Sequence, residues 1–297
     1  MGAPRLIEPH MYVATLTAVV ASTTLTIGLY FMKREAQRLP SLSGWQPRAW
    51  WAFVSDPWWV LGVALQTAGY GLYLGALRDA PLSIVHTALN AGIAFFMVLA
   101  VIGLGERPRP LEWLGVAGVV LGLIVLGLSL SADTPDGGGA AGTDVFATAL
   151  VALALVALLI DPAPGRPIGV SVASGLLLGL AGVFAKSLAS AASLAAAVLG
   201  TDLLLTLGAN IAGFALMQVA LQAGRGVVVV PIFATLSNLV PIIGGIVVYG
   251  ERLPDHGAAA VLRPLSIVLA LGGAAVLASC GEREAVGRAQ VEDASSR

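Results

Sequence analysis

Charged residues are scarce in this chain. Asp, Glu, Lys and Arg make up 11% of its 297 residues, against about 25% in typical soluble domains. The 16 basic and 17 acidic residues nearly cancel, to a net charge of -1, and they occupy short segments between long apolar runs. This distribution excludes an ordinary soluble domain. It also argues against binding to nucleic acid, which needs a concentrated basic surface.

Cysteine and catalytic motifs are almost absent as well. Cys280 is the single cysteine of the sequence, so an internal disulfide cannot form. The sequence has no GxxxxGKS/T phosphate loop, which argues against direct use of ATP, and it has no HExxH or GxSxG motif. The apolar runs contain one histidine and no well-embedded carboxylate. We therefore expect neither an enzyme nor a bound cofactor.

Long apolar runs, by contrast, fill most of the chain. A run of roughly 17 to 25 apolar residues is long enough to cross a bilayer as a helix. Such runs lie near residues 11–32, 57–77, 81–104, 111–130, 143–160, 168–190, 201–222, 227–249 and 257–279. The predicted fold class is all-α, a polytopic membrane protein with about nine transmembrane helices. The Ala- and Ser-rich stretch 187–200 fits a helix extension or a loop.

Basic residues separate by side when the nine spans alternate in direction. One side carries Lys33, Arg34, Arg38, Arg48, Arg107, Arg109, Arg166, Arg225, Arg283, Arg288 and Arg297. The other carries Arg5, Arg78 and Arg252, with Arg263 at the margin. Because basic residues are retained in the cytoplasm, we expect a multi-pass protein of the cytoplasmic membrane with its N-terminus outside and its C-terminus inside.

A glycine-rich segment, SADTPDGGGAAGTD, divides the chain between Ser131 and Asp144. Its Gly, Asp and Pro content is typical of a flexible linker. The predicted organisation is a first repeat of four spans over residues 1–131, an external linker over 132–143, a second repeat of five spans over 144–280, and a cytoplasmic tail over 281–297.

The two halves resemble each other in sequence. LQTAGYGLYLGAL, residues 65–77, aligns without a gap with ANIAGFALMQVAL, residues 209–221. The next span of each half ends in the same three residues, Gly105-Glu106-Arg107 and Gly250-Glu251-Arg252. The predicted topology puts these ends on opposite faces of the membrane, so we expect an inverted 4+5 repeat. Inverted repeats allow alternating access to a site near the bilayer midplane.

These elements resemble the drug/metabolite transporter superfamily, whose EamA-type members have ten helices in two halves of five. The resemblance rests on the repeated Gly-Glu-Arg endings and on the paired Ala-Leu segments that precede the fourth helix of each half. The opening span, which runs into Lys33-Arg34, and the pairs Trp50-Trp51 and Trp58-Trp59 resemble the nine-helix NIPA branch more closely. That branch is associated with magnesium transport, so the resemblance implies a divalent cation as one substrate.

Polar side chains inside the spans are the candidate site residues, because polar groups are costly in a bilayer and usually face a cavity or another helix. Helical spacing places Gln66, Tyr70 and Tyr73 on one stripe of the second span. The equivalent stripe of the seventh span contains Asn210, Phe214, Met217 and Gln218. The two stripes are expected to face a common substrate pathway. Hydrogen bonding of the amides to neighbouring helices is the alternative.

Two further spans carry polar or helix-breaking residues. His86 and Asn90 lie one turn apart on the third span, and Pro231, Thr235 and Asn238 share one face of the eighth. A proline there frees backbone carbonyls of the kind that transporters use for ion or substrate contacts. His86 is able to change charge near neutral pH. A packing role for this histidine is the alternative.

Four charged residues lie at or near the ends of spans. Lys186 is the basic residue deepest in a span and is a candidate contact for an anionic group. The alternative is that it extends toward the outer surface, as we expect Lys33 to extend toward the inner one. Glu106 and Glu251 are each followed by arginine, and we expect capped, solvated helix ends. Three pairs of glycines at GxxxG spacing predict close helix packing and also allow a homodimer: Gly71 with Gly75, Gly118 with Gly122, and Gly175 with Gly179.

The sequence favours a secondary transporter that moves a small solute by alternating access. The first alternative is a NIPA-like transporter of magnesium or another divalent cation. Hard cations prefer carboxylate ligands, so carbonyls, Asn side chains and retained waters would have to carry a hydrated ion here. An intramembrane lipid enzyme and a non-transporting membrane protein are the remaining alternatives. The expected partners are the lipid bilayer and a small-molecule or ion substrate, whose identity, direction, coupling ion and metal ligands the residues leave open.

Overall fold

The computed structural model describes residues 9–42, 46–79, 82–129, 142–160, 167–189, 200–250 and 258–295. Within them every regular element is a helix. The helices are α1 (Pro9–Ala36), α2 (Pro47–Ser55), α3 (Pro57–Asp79), α4 (Leu82–Gly103), α5 (Pro110–Ser129), α6 (Thr143–Ile160), α7 (Pro167–Ala189), α8 (Thr201–Ala223), α9 (Gly226–Val247) and α10 (Ala258–Ser295). A long helix occupies each of the nine predicted spans, so the predicted all-α polytopic fold is confirmed.

Six helices of the described part are both long and apolar enough to cross a membrane. They contain the segments Thr15–Ala36, Thr143–Ile160, Pro167–Ala185, Thr201–Ala223, Gly226–Val247 and Ala260–Gly281. Shorter apolar stretches, Asn90–Gly103 and Pro110–Leu126, lie in α4 and α5. On α6, Val145, Leu159 and Ile160 are 71–75% exposed, and such an apolar surface is stable against lipid chains.

Two features differ from the predicted spans. Helix α2 has only nine residues, which is too short for a span, and Pro47 starts it at a position where proline is favoured. It buries Phe53 and leaves Trp51 largely exposed. Helix α10 continues through Cys280 to Ser295, so most of the expected tail is helical.

The helices of the two halves make the same set of contacts. In the first half α1 packs against α3 and α4, and α4 packs against α5. In the second half α7 packs against α8 and α9, and α9 packs against α10. Helix α6 lies against α7 and has no equivalent among the described helices of the first half. The contacts between halves are made by α5 with α10, α1 with α8, and α9 with both α4 and α5.

Glycines allow several of these helices to approach closely. A Cβ atom at Gly122 of α5 would lie 2.5 Å from the backbone nitrogen of Ala270 in α10. A Cβ at Gly175 of α7 would lie 2.8 Å from the carbonyl oxygen of Phe233 in α9. The predicted close packing is therefore confirmed at these positions. At Gly71 and Gly75 an added Cβ would meet nothing within 4 Å in the described part of the chain, so no close approach is seen there.

We expect Gly122→Ala to destabilise the protein by about 1–3 kcal/mol, because the new methyl group would collide with the backbone of α10. The measurement is the melting temperature of the purified protein in detergent. Gly71→Ala is the matched control, and it should be neutral or stabilising by about 0.5–1 kcal/mol, since alanine is the better helix former. Equal melting temperatures for the two variants would contradict the α5–α10 contact.

Candidate functional site

A cavity of about 610 Å³ lies between the two halves. Its walls come from α1, α3 and α4 of the first half and from α7, α8 and α9 of the second. It is lined by Ser22, Leu25, Thr26, Leu29, Val63, Gln66, Thr67, Tyr70, Asn90, Gly92, Ile93, Phe96, Leu178, Asn210, Phe214, Met217, Val230, Phe233, Ala234 and Asn238. Its volume is in the range of small-molecule sites, roughly 300–1,000 Å³.

Six of the predicted site residues line this cavity, three from each half: Gln66, Tyr70, Asn90, Asn210, Met217 and Asn238. The stripes identified on the second and seventh spans thus meet across one space. Asn90 of α4 and Asn238 of α9 join them from the helices that follow in each half.

Four other predicted residues lie outside the lining: Tyr73, Gln218, Pro231 and Thr235. Tyr73 is half-buried, with its ring centroid 5.6 Å from that of Tyr70. Gln218 is fully buried, and its Oε1 accepts a hydrogen bond of 3.0 Å from the indole N–H of Trp59. Thr235 is fully buried, and its hydroxyl donates to the carbonyl of Pro231 at 2.7 Å. The Gln218–Trp59 bond joins α8 to α3 and is of the helix-packing kind that was the alternative to a site, whereas the Thr235 bond lies within α9.

The side chains of His86 and Lys186 lie outside the described residues, although both backbones are in helices, α4 and α7. Glu251 and Arg252 also lie outside them. Gly250 has a φ of +64° and the equivalent Gly105 has a φ of +67°, so both Gly-Glu-Arg segments begin with a left-handed turn that glycine adopts readily.

The cavity amides share one bonding pattern. In Gln66, the Nε2 group donates to the carbonyl of Leu25 at 3.1 Å. In Asn90, the Nδ2 group donates to the carbonyl of Leu123 at 2.8 Å. Asn210 and Asn238 donate to carbonyls four residues earlier in their own helices, at 2.9 and 2.8 Å. Each amide nitrogen is thus anchored to the backbone.

Helix α1 contributes a wall that the sequence analysis did not identify. Ser22 and Thr26 lie one turn apart on it, and Thr26 donates to the carbonyl of Gly92 in α4 at 3.2 Å. A Cβ at Gly92 would lie 2.5 Å from the Ser22 hydroxyl oxygen. The run Ser-Thr-Thr-Leu-Thr over residues 22–26 was the available signal, but threonines in helices commonly bond to their own backbone. Thr23 and Thr24 do so.

A network of polar bonds lies one helical turn beyond the cavity, at the junction of α8 and α9. Glu106 of the first half reaches the first turn of α9. Its Oε1 accepts from the N–H of Gly226 at 2.7 Å and its Oε2 from the N–H of Val227 at 2.9 Å. A carboxylate at a helix N-terminus accepts hydrogen bonds from the free N–H groups there, and its negative charge is attracted to the positive end of the helix dipole.

Lys33 makes the complementary contact at the C-terminus of α8. This side chain is fully buried, and its Nζ donates to the carbonyl of Leu221 at 2.5 Å and to that of Gly224. Those carbonyls carry the negative end of the helix dipole, so the ammonium group is stabilised there. Lys33 also interacts electrostatically with Glu106.

Two other residues complete this inter-half network. Arg225, between the two helices, donates to Glu112 Oε1 at 2.7 Å and to the carbonyl of Arg107 at 2.9 Å. Gln222 donates to the carbonyls of Ala36, Leu39 and Pro40 and accepts from the N–H of Leu42. The α8–α9 connection of the second half is therefore held by residues of the first.

The expectations for Glu106 and Lys33 were wrong. Glu106 is 9% exposed and Lys33 is 0% exposed, rather than solvated or extended to the surface. The physical reason is that the ends of α8 and α9 offer partners for both charges inside the protein. Such partners come from helices far away in the sequence, and a reading of single spans does not include them.

The described residues include no group of three or more His, Cys, Asp or Glu that could hold a metal ion. The polar groups in the described lining of the cavity are amides and hydroxyls. They offer oxygen atoms that suit a hydrated hard cation or a polar organic solute.

One family and two individual proteins match this chain. Residues 4–128 match the model of the EamA-like transporter family. The probable magnesium transporter NIPA9 of Arabidopsis thaliana is 24% identical over 285 residues, covering 90% of this chain and 82% of the plant protein. The probable 4-amino-4-deoxy-L-arabinose-phosphoundecaprenol flippase subunit ArnE of Aeromonas hydrophila is 27% identical over 105 residues, covering 35% of this chain and 88% of ArnE.

No solved structure matches the chain. The family model and the relatives confirm the resemblance that the repeated helix endings indicated, including the similarity to the NIPA branch. Over residues 4–128 the chain is similar to the EamA-like transporter family.

Proposed function

We propose that this protein is a secondary transporter that moves a small solute by alternating access between its two halves. The observation that carries the proposal is a cavity between the halves, with bonds from one half to the other one helical turn beyond it. A site with this placement is what alternating access requires. Both relatives are named as transport proteins, and these names support a transport function.

The inter-half network is the gate in this proposal. Leu29 lines the cavity and Lys33 follows it by one turn on α1, while Gly226 precedes the lining residue Val230 by one turn on α9. Opening this end would separate Lys33 and Glu106 from the α8–α9 junction. Charge-assisted bonds each contribute about 1.5–3 kcal/mol, comparable to the few kcal/mol that separate conformational states.

The positive-inside distribution of basic residues assigns the gated end to the cytoplasm. In this proposal the cavity is entered from the outside, where Tyr70 is exposed. The protein then lies in the cytoplasmic membrane with its N-terminus outside and its C-terminus inside. The four-span first half over residues 1–131 and the five-span second half over residues 144–280 are the moving units, with 132–143 as the external linker and 281–297 as the cytoplasmic tail.

We expect a cysteine at the cavity position Asn210 to react with a membrane-impermeant thiosulfonate added to the outside of intact cells. The background is Cys280→Ala, which leaves no other cysteine. Adding Glu106→Gln should reduce labelling from the outside and increase labelling from the inside in inverted vesicles. The ratio of the two conformations should change about ten-fold for each 1.4 kcal/mol of stabilisation that the gate loses. The measurement is the labelled fraction by mass spectrometry.

Arg107→Gln is a suitable control for the loss of a charge next to Glu106, because only the backbone carbonyl of Arg107 bonds to Arg225. It should leave the labelling of Asn210→Cys unchanged. Labelling that is equal from both sides, and unaffected by Glu106→Gln, would rule out the network as a gate.

Magnesium transport is the second candidate function. It is supported by the similarity to the probable magnesium transporter NIPA9 along most of the chain. Mg²⁺ retains several waters when it binds to proteins, and the amide and hydroxyl oxygens of the cavity are acceptors for those waters. The ion would then pass as a hydrated complex.

If the cavity carries magnesium, proteoliposomes should take up Mg²⁺ faster than protein-free vesicles, as reported by an enclosed fluorescent indicator. Replacing two acceptors, Asn210→Leu with Asn238→Leu, should slow this uptake at least about ten-fold, since each lost bond to a charged species costs about 1.5–3 kcal/mol. Gly71→Ala is the control. Uptake that the double variant leaves unchanged would exclude the cavity as the path of the ion.

A further inference from the structure

The orientation of the cavity amides determines which of their atoms face a ligand. The nitrogen of Gln66, Asn90, Asn210 and Asn238 in each case lies within 3.1 Å of a backbone carbonyl oxygen. Only the NH₂ group of an amide is a donor, so the opposite orientation would place two oxygens against each other. Each amide oxygen is therefore directed away from its anchoring carbonyl.

The amide oxygens accept no hydrogen bond from the described residues. Two threonine hydroxyls of the wall also donate to the backbone, Thr26 to the carbonyl of Gly92 at 3.2 Å and Thr67 to that of Val63 at 3.0 Å. Six polar side chains of the lining thus donate a hydrogen to the backbone, and their oxygens accept no hydrogen bond from the described residues. The wall is rich in acceptors.

The remaining wall is mostly apolar and includes four aromatic side chains. Tyr70, Phe96, Phe214 and Phe233 line the cavity together with aliphatic side chains. Aromatic faces attract cations, more so where water is excluded. The described lining includes no Lys or Arg, so a cation would meet no repelling charge there.

We propose that the cavity binds organic cations that carry several N–H donors on an apolar body, as a protonated primary amine does. The donors, three in a primary ammonium group, bond to amide oxygens of the wall, and the body packs against the rings. Carboxylate and phosphate groups are disfavoured, because the same oxygens repel them. The inference rests on the proposed function, since it assigns a ligand class to the cavity that we propose as the transport site.

The test compares phenethylammonium with two compounds that have the same phenethyl body and a different head group. N,N,N-trimethylphenethylammonium keeps the charge but has no N–H, and 3-phenylpropionate reverses the charge. The measurement is the apparent affinity from thermal stabilisation of the purified full chain. We expect phenethylammonium to bind at least about ten-fold more tightly than the trimethyl compound, because each lost charged hydrogen bond has that order of effect. The propionate should give no stabilisation.

A pair of variants at one position checks that the effect arises in the cavity. Asn210 is exposed to the cavity and its only recorded bond is to its own helix, so substitutions there should fold. Asn210→Asp keeps an acceptor and adds negative charge, and it should tighten phenethylammonium binding about ten-fold. Asn210→Leu removes the acceptor and should weaken binding by a similar factor. Gly71→Ala should not change it.

Several results would overturn the inference. These are tighter binding of 3-phenylpropionate, equal binding of the two ammonium compounds, or stabilisation by Mg²⁺ alone with none by phenethylammonium. Failure of the proposed function is seen separately. If the affinities follow the N–H donors but Glu106→Gln leaves the cysteine labelling unchanged, the ligand class stands and the gate does not. If Glu106→Gln changes the cysteine labelling but 3-phenylpropionate binds more tightly than phenethylammonium, the gate stands and the ligand class does not.

Discussion

The ends of helices α8 and α9 impose the constraint on which the rest of the structure depends. A helix end within an apolar protein or lipid has free carbonyls or N–H groups that water does not reach. Here the two ends lie next to each other, joined by Gly224 and Arg225. Lys33 supplies donors to one end and Glu106 supplies acceptors to the other. Both residues come from the first half, so satisfying the helix ends also joins the halves.

This arrangement explains why buried charges are tolerated next to a membrane-spanning core. An unpaired ion is strongly destabilised in an apolar interior, but each of these charges opposes a helix dipole and has direct hydrogen bonds. The same bonds are reversible, since they are contacts between surfaces of two units and include no covalent link. A junction of this kind is able to hold one end of the cavity shut without making the closed state permanent.

The cavity depends on the same packing. Because α1 lies against α4 through Gly92, and α7 lies against α9 through Gly175, the walls are brought close enough to enclose a space. The amides that line it are partly structural, since their nitrogens bond to backbone carbonyls. A packing role of these residues is therefore compatible with the ligand contact that we propose. One end of each amide supports a helix while the other is available to a ligand.

Sequence alone determined the helices, because a bilayer requires long apolar runs and their ends are marked by Pro, Gly and charge. The interval predicted for the fifth span, 143–160, coincides with α6, Thr143–Ile160. Periodicity also identified Gln66 and Asn210 as cavity residues. Helix α2 was not predicted, because nine residues are too few for a span. Only tertiary structure decided the roles of Lys33 and Glu106 and the part of Ser22 and Thr26 in the wall, because their partners are distant in sequence and burial is a property of the packed helices.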